Sequence, residues 1–231
     1  MSAKAWNKGF FLPFFIIVAN ILIIFAVYSY NYAVEFFYYE KKLNDKTKLY
    51  FEAKNYVIET MVKLNRILGA KSYFGLNDLK DIESEAVKDG YKVRVFIEDE
   101  NSKLNKKIFE SGYLNFPDDS KYFTDYGNGI ININTAKREI LKNVFCDTFN
   151  LNNFCVKRID NPVKNASELL FLKQKYFKKT INSKIKFGVK SNYFKIIVKA
   201  KSKFNNITII SMVFVDGKNF KIIYENDEYY E

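Results

Sequence analysis

The sequence predicts an α+β protein built on one long N-terminal helix, and three features carry that prediction. Residues 9–34, GFFLPFFIIVANILIIFAVYSYNYAV, hold no charged side chain between Lys8 and Glu35. From Glu35 to Leu68 neither Pro nor Gly occurs, and Phe36, Leu43, Tyr50, Val57 and Leu64 return every seven residues, flanked by Tyr39, Ala53 and Ile67. Residues 191–231 then alternate apolar and polar side chains in strand fashion.

The apolar run exceeds the roughly 20 residues that a helix needs to cross a bilayer core. It is too long for the apolar core of about 7–15 residues in a cleaved secretory signal, and it lacks that signal's small-residue site. Asn20 is the strongly polar residue deep inside it, tolerable where it faces a protein neighbour. The seven-residue stripe continues the helix on one face. A single rod from the membrane to Gly69 would be about 90 Å long at 1.5 Å per residue.

Beyond the rod, Gly69 and Gly75 break the helix, and residues 77–88 read as a short helix capped by Asn77. Residues 91–98 read as a strand with Val93, Val95 and Ile97 on one face. Residues 108–114 suggest a further short strand and 115–128 a loop around Pro117. Ile131 and Ile133 mark a brief strand, followed by a helix over 136–145 capped by Asn134 or Thr135, burying Ile140, Leu141 and Val144. Helices follow at 151–158 and from Asn165. Phe194, Ile196, Val198 and Ala200 then share a strand face, 207–215 forms a central apolar strand, and Asp216-Gly217 turns the chain into a last strand over 220–224. A sheet needs cover for its apolar face, and the outer half of the helix offers it. The segments are therefore a leader (1–9), a transmembrane half-helix (10–34), a soluble half-helix (35–68), first strands and loops (69–130), a small helical subdomain (131–190) and C-terminal antiparallel strands (191–231).

The chain has 231 residues and a formal net charge of +11, yet its lysines are spread along its length and form no single block. That distribution gives no nucleic-acid site, and no nucleic-acid partner is expected. Histidine is absent, which removes His-based triads and His–zinc sites together. Glu98, Asp99 and Glu100 are a candidate paired-carboxylate site, placed at a strand-to-turn junction where acids are commonly just solvated. With no nucleophile beside a base and no phosphate-binding Gly loop, no catalytic residues and no enzymatic activity are expected. Asp118, Asp119 and Asp125 are oxygen donors at loop spacing, open to calcium or to plain solvation; no other cofactor is indicated. Cys146 and Cys155 would close a small disulfide loop in an oxidising compartment, and two reduced buried thiols fit the sequence equally.

The start of the apolar run is more specific. Lys8-Gly9-Phe10-Phe11-Leu12-Pro13, behind a short basic leader, resembles a type IV prepilin leader. The resemblance implies that a cytoplasm-facing prepilin peptidase cuts after Gly9, leaving Phe10 as the new N-terminus. It also fixes orientation: Lys4 and Lys8 precede the helix while Lys41, Lys42, Lys46 and Lys48 follow it, but long downstream domains translocate largely regardless of charge. Most pilins carry Glu four residues after that Phe, where Phe14 stands here. The K-type minor pseudopilins (GspK) of type II secretion lack that Glu.

Further motifs resemble the same family in the same order: IEDENSKLN, ININTAKREIL, NASELLFL and SNYFKIIVKA. The resemblance implies a type IV pilin-like fold with an inserted helical subdomain, here shortened. It implies a single-pass protein of the bacterial inner membrane with its C-terminal domain in the periplasm. Such a subunit sits at the tip of a type II secretion pseudopilus and primes its assembly for protein export. Implied partners are I- and J-type minor pseudopilins, the prepilin peptidase, the inner-membrane secretion platform and membrane lipid. Two alternatives share these features. One is a minor pilin of a type IV pilus. The other is a membrane-anchored helix-hairpin-helix DNA receptor of a competence system, although residues 145–154 lack the glycines that would let a backbone grip phosphate.

Overall fold

A computed structural model describes residues 11–88, 90–107, 121–178 and 185–230. The first element, α1 (Phe11–Ala70), is one helix of 60 residues. The chain divides into two units, Met1–Lys48 and Leu49–Glu231, so α1 contributes to both.

In the first unit the helix is long and apolar enough to cross a membrane, and none of its apolar stretch is buried within the protein. Phe36, Tyr39 and Leu43, the first members of the seven-residue stripe, are exposed as well.

In the second unit α1 becomes a core helix. Leu49, Ala53, Val57, Met61, Leu64 and Leu68 are buried against the sheet, while Tyr50 and Ile67 are only partly so. The buried set steps by four residues with one step of three, a mean step slightly longer than the 3.6-residue helical turn, so the buried face drifts off a strict seven-residue repeat. Leu49 and Leu68 are accordingly buried where the sequence pattern pointed to their neighbours Tyr50 and Ile67, and Met61 joins the buried face.

After α1 come α2 (Leu76–Ile82), β1 (Ser84–Lys88) and β2 (Tyr91–Asp99). The helix expected over 77–88 is thus half strand, because 84–88 gains a full antiparallel ladder along β2, from Ser84 opposite Val95 to Lys88 opposite Tyr91; such pairing overrides local propensity. Nor does Asn77 cap α2. The Asp78 carboxylate accepts from the Gly75 N–H at 2.8 Å, and the Asn77 side chain donates to the Ile159 carbonyl instead.

The chain then leaves the sheet. It forms β3 (Leu104–Asn105), β4 (Phe123–Thr124), β5 (Ile130–Asn132), α3 (Arg138–Lys142), α4 (Thr148–Asp160), α5 (Ala166–Tyr176) and β6 (Lys186–Gly188). Two small parallel pairs, β3–β4 and β5–β6, brace this insert, so the region expected as loop contains a two-residue strand. The strand expected over 108–114 lies outside the described residues. A second core of Ile131, Ile133, Ile140, Leu141, Phe145 and Leu151, with others, packs inside the insert.

The chain returns as β7 (Tyr193–Lys201), β8 (Asn206–Val215) and β9 (Phe220–Tyr230). The sheet has five strands in the order β1-β2-β7-β8-β9, antiparallel throughout. The insert therefore sits between two neighbouring strands. β8 is interior as expected, but β7 is the middle strand. Rows of the inner face run straight across: Val95 opposite Val198, and Val198 opposite Ile209. Full burial of each such side chain contributes about 1.5–3 kcal/mol. β9 outruns the apolar segment expected over 220–224 because its polar end, Glu225 to Tyr230, keeps pairing with β8 through the backbone.

Candidate functional site

A buried polar constellation lies where the insert joins the sheet. β2 ends at Asp99, whose carboxylate caps a short 3-10 turn by accepting from the Asn101 N–H at 2.8 Å. The same carboxylate accepts from the Ser191 hydroxyl at 2.5 Å and from the Thr135 hydroxyl. Ser191 in turn accepts from Asn132 Nδ2 at 2.7 Å, and Asn132 Nδ2 also reaches the Phe74 carbonyl at 3.0 Å. Asn134 closes a reciprocal pair with Val163, its Nδ2 donating to the carbonyl and its Oδ1 accepting from the N–H. Asn101 Oδ1 accepts from the N–H groups of Asn192 and Tyr193 at the start of β7. Both ends of the insert are thus tied to one buried carboxylate and its amide neighbours.

Electrostatics follow the burial. Loss of water pushes the Asp99 carboxyl up to about 6, against the pull of the Ser191, Thr135 and Asn101 donors. Burial works against the Lys103 ammonium, but Glu100 at 2.7 Å and Glu98 at 3.0 Å more than offset it, and its pKa is raised. Burial likewise resists ionisation of Glu98, yet Lys103 prevails and holds its pKa below the usual value. Arg158, buried and donating to the Ile133 carbonyl at 2.9 Å, has its pKa lowered by desolvation.

This arrangement explains why α3 begins later than expected. Asn134 and Thr135 spend their side chains on Val163 and Asp99, so the five-residue α3 starts at Arg138 behind Lys137 with no side-chain cap. Asn165, by contrast, caps α5 as expected, accepting from the Glu168 N–H at 2.9 Å. The Glu98–Asp99–Glu100 cluster is structural: each acid is held by a partner within the junction.

Gly9 and Phe10 lie outside the described residues, as do Asp118 and Asp119. Phe14, which the leader resemblance aligns with the Glu of most pilins, is 61% exposed on α1. Asp125 lies 3.9 Å from the Lys106 ammonium, and no group of three metal-ligating side chains occurs among the described residues. Cys146 and Cys155 are free thiols, the first exposed and the second half-buried, its pKa raised by burial. The α3-to-α4 connection carries no glycine.

Sequence reasoning missed Asn101, Asn132, Asn134 and Ser191 as members of the junction. A signal was available for two of them: Asn132 and Asn134 are interleaved with Ile131 and Ile133, and amides buried with such neighbours need partners.

The described residues thus combine a helix long and apolar enough to cross a membrane with an α+β unit of a five-stranded antiparallel sheet and an inserted helical subdomain. A solved structure shares this fold. A chain of the GspK-GspI-GspJ complex from the type 2 secretion system of enterotoxigenic Escherichia coli superposes with a TM-score of 0.54 at 9% sequence identity, covering 81% of this chain and 98% of that one. The fold is therefore pilin-like. No protein-family model matches the sequence, and no curated protein matches it either.

Proposed function

We propose that this chain is a minor pseudopilin of a type II secretion system, inserted by α1 in the bacterial inner membrane with its head in the periplasm. In this reading it joins other minor pseudopilins at the fibre tip and primes assembly for protein export, with no enzymatic activity of its own. The observation that carries the reading is α1 itself: an apolar, wholly exposed half running into a half that is the spine of a pilin-like head. Exposed apolar surface of that extent needs lipid or partner helices to cover it.

Phe14 supports a place at the tip. The Glu usual there neutralises a neighbouring subunit's buried N-terminal ammonium, and leaving such a charge unpaired is costly. A chain with Phe14 cannot perform that service along a repeating fibre. A terminal subunit does not need to. Gly9 as the peptidase site and Phe10 as the mature N-terminus complete the reading, and Asp118, Asp119 and Asp125 are its calcium candidates.

Partner contact is read by photo-crosslinking in cells from p-benzoylphenylalanine placed at Ile17 and at Ile24, both exposed on α1. The expected adducts join this chain to other single-pass proteins with short Gly-Phe leaders. Adducts confined to lipid at both positions would overturn the assembly role.

A further inference from the structure

One corner of the sheet's outer face is charged in a way that folding does not call for. Lys92 on β2 stands directly opposite Lys201 on β7, and Arg94 directly opposite Lys199. Like charges opposed across an antiparallel pair repel at a Cβ separation of about 5 Å and destabilise the sheet. Glu85 on β1 relieves only one side, reaching Lys92 at 2.6 Å and Arg94 at 2.8 Å. Lys199 lies over the Phe96 ring; neither it nor Lys201 pairs with a carboxylate among the described residues. The next acid along the row, Glu228, faces Thr208 one strand further out.

These four cations, with Asn206 and Thr208, line an open cleft of about 410 Å³, within the range of roughly 300–1,000 Å³ usual for small-ligand sites. In register, Thr208 sits beside Lys199 and Asn206 beside Lys201, so neutral hydrogen-bonding groups flank the charges. We propose that this cleft binds a compact, multiply charged phosphate group. Four cations against the single carboxylate of Glu85 leave three positive charges within two residue pairs of one ladder. An extended acidic segment would spread its charge beyond that patch, whereas a phosphate concentrates charge and acceptor oxygens in one place. The planar fork of Arg94 suits two phosphate oxygens at once. The site stands whether or not the chain is a pseudopilin.

The test is calorimetric titration of the full chain in nonionic detergent at low salt, with inorganic pyrophosphate and, separately, with a short-chain phosphatidylglycerol kept monomeric. Sulfate serves as the control anion. Saturable binding is expected, weakened at least about tenfold in Lys199→Gln/Lys201→Gln and falling steeply with added salt. Pyrophosphate binding assigns a soluble phosphate ligand, and phosphatidylglycerol binding at the same lysines assigns a lipid headgroup; either supports the site. The double variant should also melt at a higher temperature than the parent without ligand, since it removes two like-charge oppositions. The proposal is overturned if neither phosphate binds at millimolar concentration, if the double variant binds as tightly as the parent, or if sulfate binds as tightly as pyrophosphate.

Discussion

Gly217→Ala is expected to destabilise the head by about 3 kcal/mol, the sum of a left-handed backbone penalty and an overpacking penalty. Gly217 has φ +89° in the turn between β8 and β9, a region that favours glycine. The larger difficulty is space. A Cβ added there would stand 2.7 Å from the Gly69 nitrogen and 2.8 Å from the Leu68 carbonyl carbon. Both are backbone atoms at the outer end of α1, which cannot swing aside as a side chain can. Gly69→Ala meets the same contact from the other side, 2.8 Å from the Gly217 carbonyl oxygen. The two glycines let the end of the rod rest directly on the hairpin, and Asp216 holds the turn by accepting from the N–H groups of Lys218 and Asn219. Gly90→Ala is the control: φ is +81° but no atom lies within 4 Å of the added carbon, so only about 1–2 kcal/mol is expected. Thermal unfolding followed by circular dichroism should show a drop of roughly 6–12 °C for Gly217→Ala and clearly less for Gly90→Ala. Equal drops would mean that the backbone contact contributes nothing.

Asp99→Ala should cost still more, about 4 kcal/mol at pH 5, because it strands the Ser191 and Thr135 hydroxyls and the Asn101 N–H in a dry site. The parent's own pH dependence is worked out from the same carboxyl. Its folded pKa of about 6 lies above the ordinary 3.8, so the folded state holds that proton more tightly than the unfolded chain does. The stabilisation from Asp99 is therefore fully present below about pH 3.8 and is lost as pH rises through about 6, a change of about 3 kcal/mol. Urea unfolding between pH 4 and 7 should show most of this loss in the parent, and Asp99→Asn should flatten it. An unchanged pH profile in Asp99→Asn would remove Asp99 as its source.

The sequence made the rod and the sheet legible for simple reasons. A long apolar run without Gly or charge reads as a helix, and Val93, Val95 and Ile97 or Phe194, Ile196 and Val198 alternate as half-buried strands must. Asn165 announced α5 because its side chain has no competing partner. Where expectation failed, a distant partner had won. Residues 84–88 became a strand because β2 supplied the ladder, and α3 lost its cap because Asp99 and Val163 claimed Thr135 and Asn134. The junction was hidden for the same reason: Asp99 and Ser191 are 92 positions apart, and nothing local marks them as neighbours. The cation cluster was diluted among lysines spread over the whole chain, and only strand register brings Lys92 to Lys201.

In the proposed function, a leader-trimmed apolar rod is the part by which this molecule assembles. Its most direct test is intact-mass spectrometry of the chain recovered from membranes of cells that also express a prepilin peptidase. A mature chain beginning at Phe10 is expected, with Gly9→Val leaving the leader in place. Recovery of the full-length chain beside active peptidase, or trimming to Phe10 that persists in Gly9→Val, would contradict the account.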